Sequence, residues 1–256
     1  MSTTWNPDLY LKFQRERTQP SIDLVSRIDL DSLGKIIDVG CGPGNSTKVL
    51  ADRWPLSSIT GVDTSEEMIA KAIHDYPDWS WIRADVRKLP STPSYDLVYS
   101  NAAIQWVPDH EILIPRLFNM VKAPGAFAAQ VPLFEGMPVR QAIAGVVESA
   151  PWRELVDDID SLTFHDAGFY YDQLAPVSKN VSMWTTAYYH EMESYSTIVE
   201  MIKSTALRPY LEKIDTESNK QRFLEEVTRA VAALYPTQKN GRVLFAFNRL
   251  FFIAYS

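Results

Sequence analysis

An α/β fold, doubly wound around a mostly parallel seven-stranded sheet, is predicted by three observations. The apolar run Ile36-Ile37-Asp38-Val39 breaks into Gly40, Gly42 and Gly44 and then into an amphipathic segment, the pattern of a strand feeding a ligand-gripping loop and a helix. Short apolar runs at 59–63, 80–84, 95–100 and 126–131 alternate with helical patterns, as βα units do. The second, third and fourth strands lead into Asp63, Asp85 and Asn101, so polar side chains cap successive strands at their carboxyl ends, where open α/β sheets bind ligands.

Each element follows from local pattern. Asn6-Pro7 opens a helix with proline at its first position, and Leu9, Tyr10, Phe13 and Arg17 follow at helical spacings. Pro20 starts a second short helix carrying Ile22, Leu24 and Val25, and residues 1–30 together form an N-terminal helical cover. The loop reads G-x-G-x-G, with Asn45 where a dinucleotide fingerprint has its third glycine. A ligand loop and a glycine-rich turn without ligand both satisfy that spacing. Val49, Leu50 and Trp54 mark a helical face up to Pro55. Strand 59–63 ends in Asp63, whose two carboxylate oxygens suit the paired hydroxyls of a ribose. Thr64 and Glu67 form a capping box for a helix bearing Met68, Ile69 and Ile73. Asp109 caps a helix over 109–122 with Leu113, Leu117, Met120 and Val121 on one face, stopped by Pro124-Gly125, and strand 126–131 follows.

From Pro132 to about Pro176 the alternation ceases and aromatic residues accumulate: Trp152, Phe164, Phe169, Tyr170 and Tyr171. A strand over 179–192, helices at about 194–203 and 215–234, and a strand over 242–254 complete the chain. The last strand is apolar on both faces, as inside a doubly covered sheet, and its polar interruption Asn248-Arg249 needs a partner.

Composition narrows the function. A chain of 256 residues buries a large core as a single domain, 1–256. Its 46% hydrophobic and 22% charged content is that of an ordinary soluble protein. A net charge of −7 argues against nucleic acid, whose phosphates call for a basic surface. The first residues lack a signal-peptide layout and no apolar run reaches membrane-span length, so no membrane association is expected. The one cysteine, Cys41, suits the cytoplasm and reads as small filler in the loop. No metal is expected, because His74, His110, His165 and His190 show no paired ligand spacing.

The segments Asp38-Val39-Gly40-Cys41-Gly42-Pro43-Gly44, Gly61-Val62-Asp63, Ala84-Asp85-Val86, Asp96-Leu97-Val98-Tyr99-Ser100-Asn101 and Pro124-Gly125-Ala126-Phe127 together resemble the class I S-adenosylmethionine-dependent methyltransferases, a Rossmann-like family. The resemblance implies S-adenosylmethionine as cofactor, S-adenosylhomocysteine as product, and a cofactor-binding core over 36–131. It also implies that Gly40 and its neighbours face the methionyl part, that Asp63 holds the ribose, and that Met68, Asp85 and Val86 meet the adenine, with Asp38, Asn45 and Thr64 also among the cofactor-binding residues. Asn101, Ala102 and Trp106 would wall the sulfonium side, with Gln14 from the cover.

Outside that core, Trp5-Asn6-Pro7, Leu9-Tyr10, Phe13, Glu16-Arg17, Ser100 through Trp106 with Pro108-Asp109-His110, Thr185-Thr186, Tyr188-Tyr189-His190, Leu207-Arg208-Pro209 and Phe247-x-Arg249-Leu250-Phe251 are similar to the trans-aconitate 2-methyltransferases. The likeness implies esterification of one carboxylate of a small tricarboxylate, with 132–178 and 194–240 as substrate-side insertions. Such a trianion in an acidic protein calls for guanidinium forks, and Arg17, Arg208 and Arg249 are the candidates. Tyr10, Phe13, Gln105, Tyr188, Tyr189 and His190 are the remaining substrate candidates, the polar ones as hydrogen-bond donors. No catalytic residue is expected, because a carboxylate needs no general base. Two other readings stay open: a carboxyl methyltransferase for another small acid or acyl chain, and a noncatalytic S-adenosylmethionine-binding protein. A nicotinamide dehydrogenase is disfavoured by the missing third glycine.

Overall fold

The computed structural model describes residues 14–156 and 162–256, with side chains from residue 18 onward in the first helix. The helix expected from Asn6-Pro7, with Tyr10 and Phe13, lies outside the described residues, as do the side chains of Gln14 and Arg17. The chain divides into two compact units, one of Met1–Pro132, His165–Thr186 and Leu250–Ser256, the other of Leu133–Phe164 and Ala187–Arg249.

The first unit is built on β1 (Lys35–Val39), β2 (Ser58–Asp63), β3 (Ser80–Arg83), β4 (Tyr95–Asn101) and β5 (Val121–Pro132). With β6 (Asn180–Met192) and β7 (Val243–Tyr255) they form one sheet in the order β3-β2-β1-β4-β5-β7-β6. β1 pairs in parallel with β2 on one side, Lys35 opposite Ser58, and with β4 on the other, Ile36 opposite Leu97. The chain therefore winds outward in both directions from β1, and the carboxyl ends of β1 and β4 flank the switch point where such sheets open a ligand crevice. β3 and β5 extend the parallel array. The Ser256 amide donates to Gly125 O and the Leu133 amide to Asn248 O, which sets β7 antiparallel to β5. Its own start and end lie beside the end and start of β6, through Arg242–Glu193 and Lys179 N–H to Tyr255 O, so β7 is the one reversed strand.

Three helix boundaries differ from the sequence expectation. Among the described residues one helix, α1 (Gln14–Ser26), runs through Pro20, where a new helix was expected to start. Proline removes one helical hydrogen bond, yet its neighbour Ser21 is fully buried with its hydroxyl 2.7 Å from Tyr99 Oη, and Leu24 is fully buried too, so tertiary packing carries the helix across the defect. After α2 (Asn45–Arg53), α3 (Glu66–Asp75) is capped by Ser65 rather than Thr64. Ser65 Oγ accepts the Met68 amide and donates to Glu67, one residue out of register with the expected box. α4 (His110–Phe118) stops four residues early, because Met120 O already accepts the Ser94 and Tyr95 amides and β5 begins at Val121. Asp109, with φ of 58°, makes no side-chain cap.

The second unit contains α5 (Pro138–Val147), α6 (Trp152–Leu155), α8 (Tyr195–Lys203), α9 (Arg208–Lys213) and α10 (Glu217–Leu234), while α7 (Ala167–Leu174) belongs to the first. Aromatic anchors replace βα regularity here. Fully buried Trp152 meets Phe223 edge-on and donates its indole N–H to Glu226 at 2.5 Å, and Tyr235 Oη accepts the Val139 amide at 3.2 Å. The expected strands at 179–192 and 242–254 and helices at 194–203 and 215–234 are present within two residues at each end. The short helix α9 went unread, because Pro209 masks a helix whose first turn it occupies.

Candidate active site

The loop after β1 is shaped by its backbone. Gly40, Gly42 and Gly44 all have positive φ, at 73°, 54° and 95°. A Cβ on Gly40 would lie 2.1 Å from the Ala103 methyl, so the loop must pass bare against the turn that follows β4. A Cβ on Gly42 would meet nothing within 4 Å. The Gly40 and Cys41 amides both donate to Val62 O, and the Gly42 amide reaches Asp63 Oδ2 at 3.0 Å. Asp63 Oδ1 accepts the Ser65 amide at 2.9 Å. Burial pushes the Asp63 carboxyl up, and these backbone donors partly offset it.

Asp38 closes the loop from below. It is fully buried, and its Oδ2 accepts both the Ser46 and Thr47 hydroxyls at 2.7 Å, tying β1 to the first turn of α2. Burial pushes its carboxyl up to about 6 despite these two donors, with the charge of Asp63 adding to the rise. Asp38 Oδ1 has no hydrogen-bond partner among the described residues. Sequence reading missed Ser46 and Thr47; the available signal was a hydroxyl pair inside the first turn after the last loop glycine.

Beyond β2 and β3, Met68 is buried on the first turn of α3, and Thr64 O faces Arg83 Nε at 3.4 Å. Asp85 accepts the Arg87 amide and holds its guanidinium through two oxygens, at 3.0 and 2.7 Å. That pairing keeps the Asp85 carboxyl below its usual range, and Val86 beside it is buried. Asn45 is the first residue of α2.

After β4 the chain turns through Ala102, at φ 53°, into a 3-10 turn, Ile104–Trp106. The Ala102 amide is held by Gln130 O. Gln105 is 5% exposed and donates its side-chain amide to Ala102 O at 2.7 Å. Its Oε1, like Asn101 Oδ1, is buried without a partner among the described residues. Gln105 was expected to donate to substrate; one of the two N–H groups of its amide is engaged by the backbone. His110 braces this turn. Its Nε2 lies 2.9 Å from Ile104 O, which only accepts, so Nε2 carries the proton and Nδ1 accepts from the Tyr170 hydroxyl at 3.0 Å. Burial holds the His110 pKa down, which favours this neutral form.

The second unit holds the other expected substrate residues. Tyr188 and His190 alternate along β6 with rings stacked at 6.5 Å, and His190 lies 6.3 Å from Phe245 on β7. Phe247 follows on the same face, with the Arg249 guanidinium 4.5 Å over its ring, and Arg249 is 5% exposed. One sheet face thus gathers Tyr188, His190 and Arg249. Tyr189 falls on the opposite face by the strand's period of two and is 68% exposed, so the structure separates it from its two neighbours. Arg208 is the first residue of α9 rather than part of a surface turn. Its side chain is 15% exposed and lies 3.8 Å from Glu212, and burial pushes its pKa down. Among the described residues no cluster of His, Cys, Asp and Glu is arranged to hold a metal.

A methyltransferase-domain family model matches residues 36–125. The trans-aconitate 2-methyltransferase of Enterobacter sp. (strain 638) is 40% identical over 254 residues, covering 98% of this chain and 97% of that protein. Its namesake from Escherichia coli (strain K12 / DH10B) is 38% identical over 250 residues, with the same two coverages. Among solved structures, the YcgJ protein of Bacillus subtilis superposes with a TM-score of 0.62 at 12% identity, covering 93% of this chain and 98% of that one. Phosphoethanolamine N-methyltransferase 2 of Haemonchus contortus, solved with S-adenosyl-L-methionine, gives 0.59 at 16% identity over 93% of this chain and 52% of its own. The solved structures share the fold; the curated relatives share the sequence almost end to end, and the chain belongs to the trans-aconitate 2-methyltransferase family.

Proposed function

We propose that the protein transfers the methyl group of S-adenosylmethionine to one carboxylate of trans-aconitate. The observation that carries this reading is 40% identity to a trans-aconitate 2-methyltransferase over 98% of the chain. The chemistry of the site agrees with the cofactor. Asp63 already accepts one backbone N–H on each oxygen, and each oxygen keeps a lone pair for a ribose hydroxyl. Asp38 Oδ1, Asn101 Oδ1 and Gln105 Oε1, buried acceptors without a partner among the described residues, suit a cationic ligand and disfavour an anionic one.

In this reading Asp38, Gly40 and Asn45 hold the methionyl part, Asp63 and Thr64 the ribose, and Met68, Asp85 and Val86 the adenine. Asn101, Ala102 and Trp106 line the wall beside the sulfur, and Gln14 completes the set from the N-terminal helix. S-adenosylmethionine supplies the methyl group and leaves as S-adenosylhomocysteine. The protein removes no proton, because a carboxylic acid with a pKa of about 4 is already ionised near neutrality. Its contribution is alignment, and holding two reactants in line is worth roughly 7–11 kcal/mol of barrier.

Arg208 and Arg249 are the cations we assign to the acceptor's carboxylates, with Tyr188 and His190 donating hydrogen bonds. A planar guanidinium fork matches a carboxylate with two parallel N–H donors, which makes both arginines apt for a polycarboxylate. Arg17, Tyr10 and Phe13 remain candidates from the N-terminal segment. The buried single cysteine suits a reducing compartment, and we place the enzyme in the cytoplasm. Among the described residues no helix is long and apolar enough to cross a membrane.

Purified protein with labelled S-adenosylmethionine is expected to methylate trans-aconitate with a higher kcat/KM than cis-aconitate, citrate or isocitrate. Equal turnover of all four, or none on trans-aconitate, overturns the assignment.

A further inference from the structure

The Gln105 amide has a fixed orientation. Its side-chain nitrogen sits 2.7 Å from Ala102 O, and since a carbonyl can only accept, the opposite atom of the amide must be oxygen. That oxygen is buried and has no partner among the described residues, on a side chain that is itself 5% exposed. A buried acceptor left alone costs free energy, so a donor is expected to complete it. An ionised carboxylate cannot do so, because it only accepts. The methyl acceptor is therefore excluded as the partner of Gln105 Oε1. Asn101, four residues earlier at the end of β4, carries a second buried oxygen without a partner among the described residues.

The two states of the cofactor differ in one respect that such oxygens can sense. The methyl donor carries a positive sulfur whose attached carbons hold polarised C–H groups; the product carries a neutral thioether. Carbonyl oxygens attract the first through charge–dipole contact and C–H···O bonds, and gain little from the second. Resting on the cofactor reading above, we propose that the side-chain oxygens of Gln105 and Asn101 recognise the sulfonium charge, so that the site prefers S-adenosylmethionine to S-adenosylhomocysteine and releases the product once the charge is gone. Gln105 is then a cofactor-binding residue, oriented by the Ala102 carbonyl.

Calorimetric titration of the full-length protein with each ligand, without methyl acceptor, tests this. The quantity read is the ratio of the two dissociation constants. Gln105→Met removes the oxygen at nearly constant volume and is expected to weaken S-adenosylmethionine about fivefold to tenfold while S-adenosylhomocysteine stays within twofold. Asn101→Ala removes the other oxygen, leaves the Gln105–Ala102 bond in place, and is expected to shift the ratio in the same direction by a smaller factor. It also carries the test if Gln105→Met does not fold. Equal weakening of both ligands, or unchanged ratios with a raised KM for trans-aconitate, overturns the inference. Wild-type protein that binds neither ligand overturns the cofactor reading itself, and this inference with it.

Discussion

The loop end of β1 and the shared face of β6 and β7 offer a ligand opposite kinds of surface. At the loop, the work is done by backbone. Glycines at positive φ, amides donating to Val62 O and Asp63, and Ala103 pressed against Gly40 leave little to side-chain choice. On the β6–β7 face, Tyr188, His190, Phe245, Phe247 and Arg249 contribute long side chains from segments more than fifty residues apart in sequence. Backbone recognition is rigid and local in sequence. Side-chain recognition is adjustable, as a methyl acceptor that differs between related enzymes requires. Substitutions at the first region should therefore disable the enzyme, and those at the second should retune it.

The largest effect is expected at Gly40. Gly40→Val adds a Cβ 2.1 Å from the Ala103 methyl at a φ of 73°, combining overpacking with left-handed strain. Together these cost about 2–5 kcal/mol. Chemical denaturation should show that loss, and calorimetry should show cofactor affinity reduced at least about 100-fold. Gly42→Ala is the control within the loop. Its φ of 54° carries strain of about 1–2 kcal/mol, but no atom stands within 4 Å of the new methyl. If both variants lose the same stability, contact with Ala103 is not what makes the loop rigid.

A smaller and pH-dependent effect is expected at Asp38. Its carboxyl is raised from 3.8 to about 6 by burial, opposed by Ser46 and Thr47 and reinforced by Asp63; the Cys41 thiol nearby is itself pushed up and stays neutral. A raised carboxyl pKa means that the folded protein holds this proton more tightly than the unfolded chain. Its contribution to stability is then greatest below about pH 4 and is lost as pH rises through about 6. A cationic ligand favours the ionised form, so binding runs the other way. Affinity for S-adenosylmethionine should rise as pH increases from about 5 to 7, with uptake of the ligand releasing a proton. Asp38→Asn should flatten that rise. Affinity independent of pH in the wild type would remove Asp38 from the cationic end of the site.

What the sequence discloses follows the same division. The loop, Asp63, Asp85 and Asn101 were legible because glycine spacing and strand-end polarity are local signals, and five parallel strands followed from them. Pro20 and the end of α4 were misread for the converse reason. Burial of Ser21 against Tyr99, 78 residues away, carries α1 through its proline, and pairing of Met120 O with the amides that open β4 cuts α4 short. The residue type of Gln105 permits donation, and only the position of the Ala102 carbonyl shows that one of its two N–H donors is already engaged. His110 and Tyr170 form a hydrogen-bonded pair across 60 residues with no local signature at all.

The smallest effect separates two adjacent tyrosines that sequence alone treats alike. Tyr188 shares its sheet face with His190 and Arg249, whereas Tyr189 points away and is 68% exposed. Removing one hydroxyl that hydrogen-bonds a charged group costs about 1.5–3 kcal/mol, and removing a solvated one costs almost nothing. Tyr188→Phe should thus raise the KM for trans-aconitate roughly tenfold or more while leaving cofactor affinity alone. Tyr189→Phe should leave KM, kcat and stability within experimental scatter. Equal responses from the two would mean that the alternation of β6 does not decide which side chains meet the acceptor, and the β6–β7 face would lose its claim to bind it.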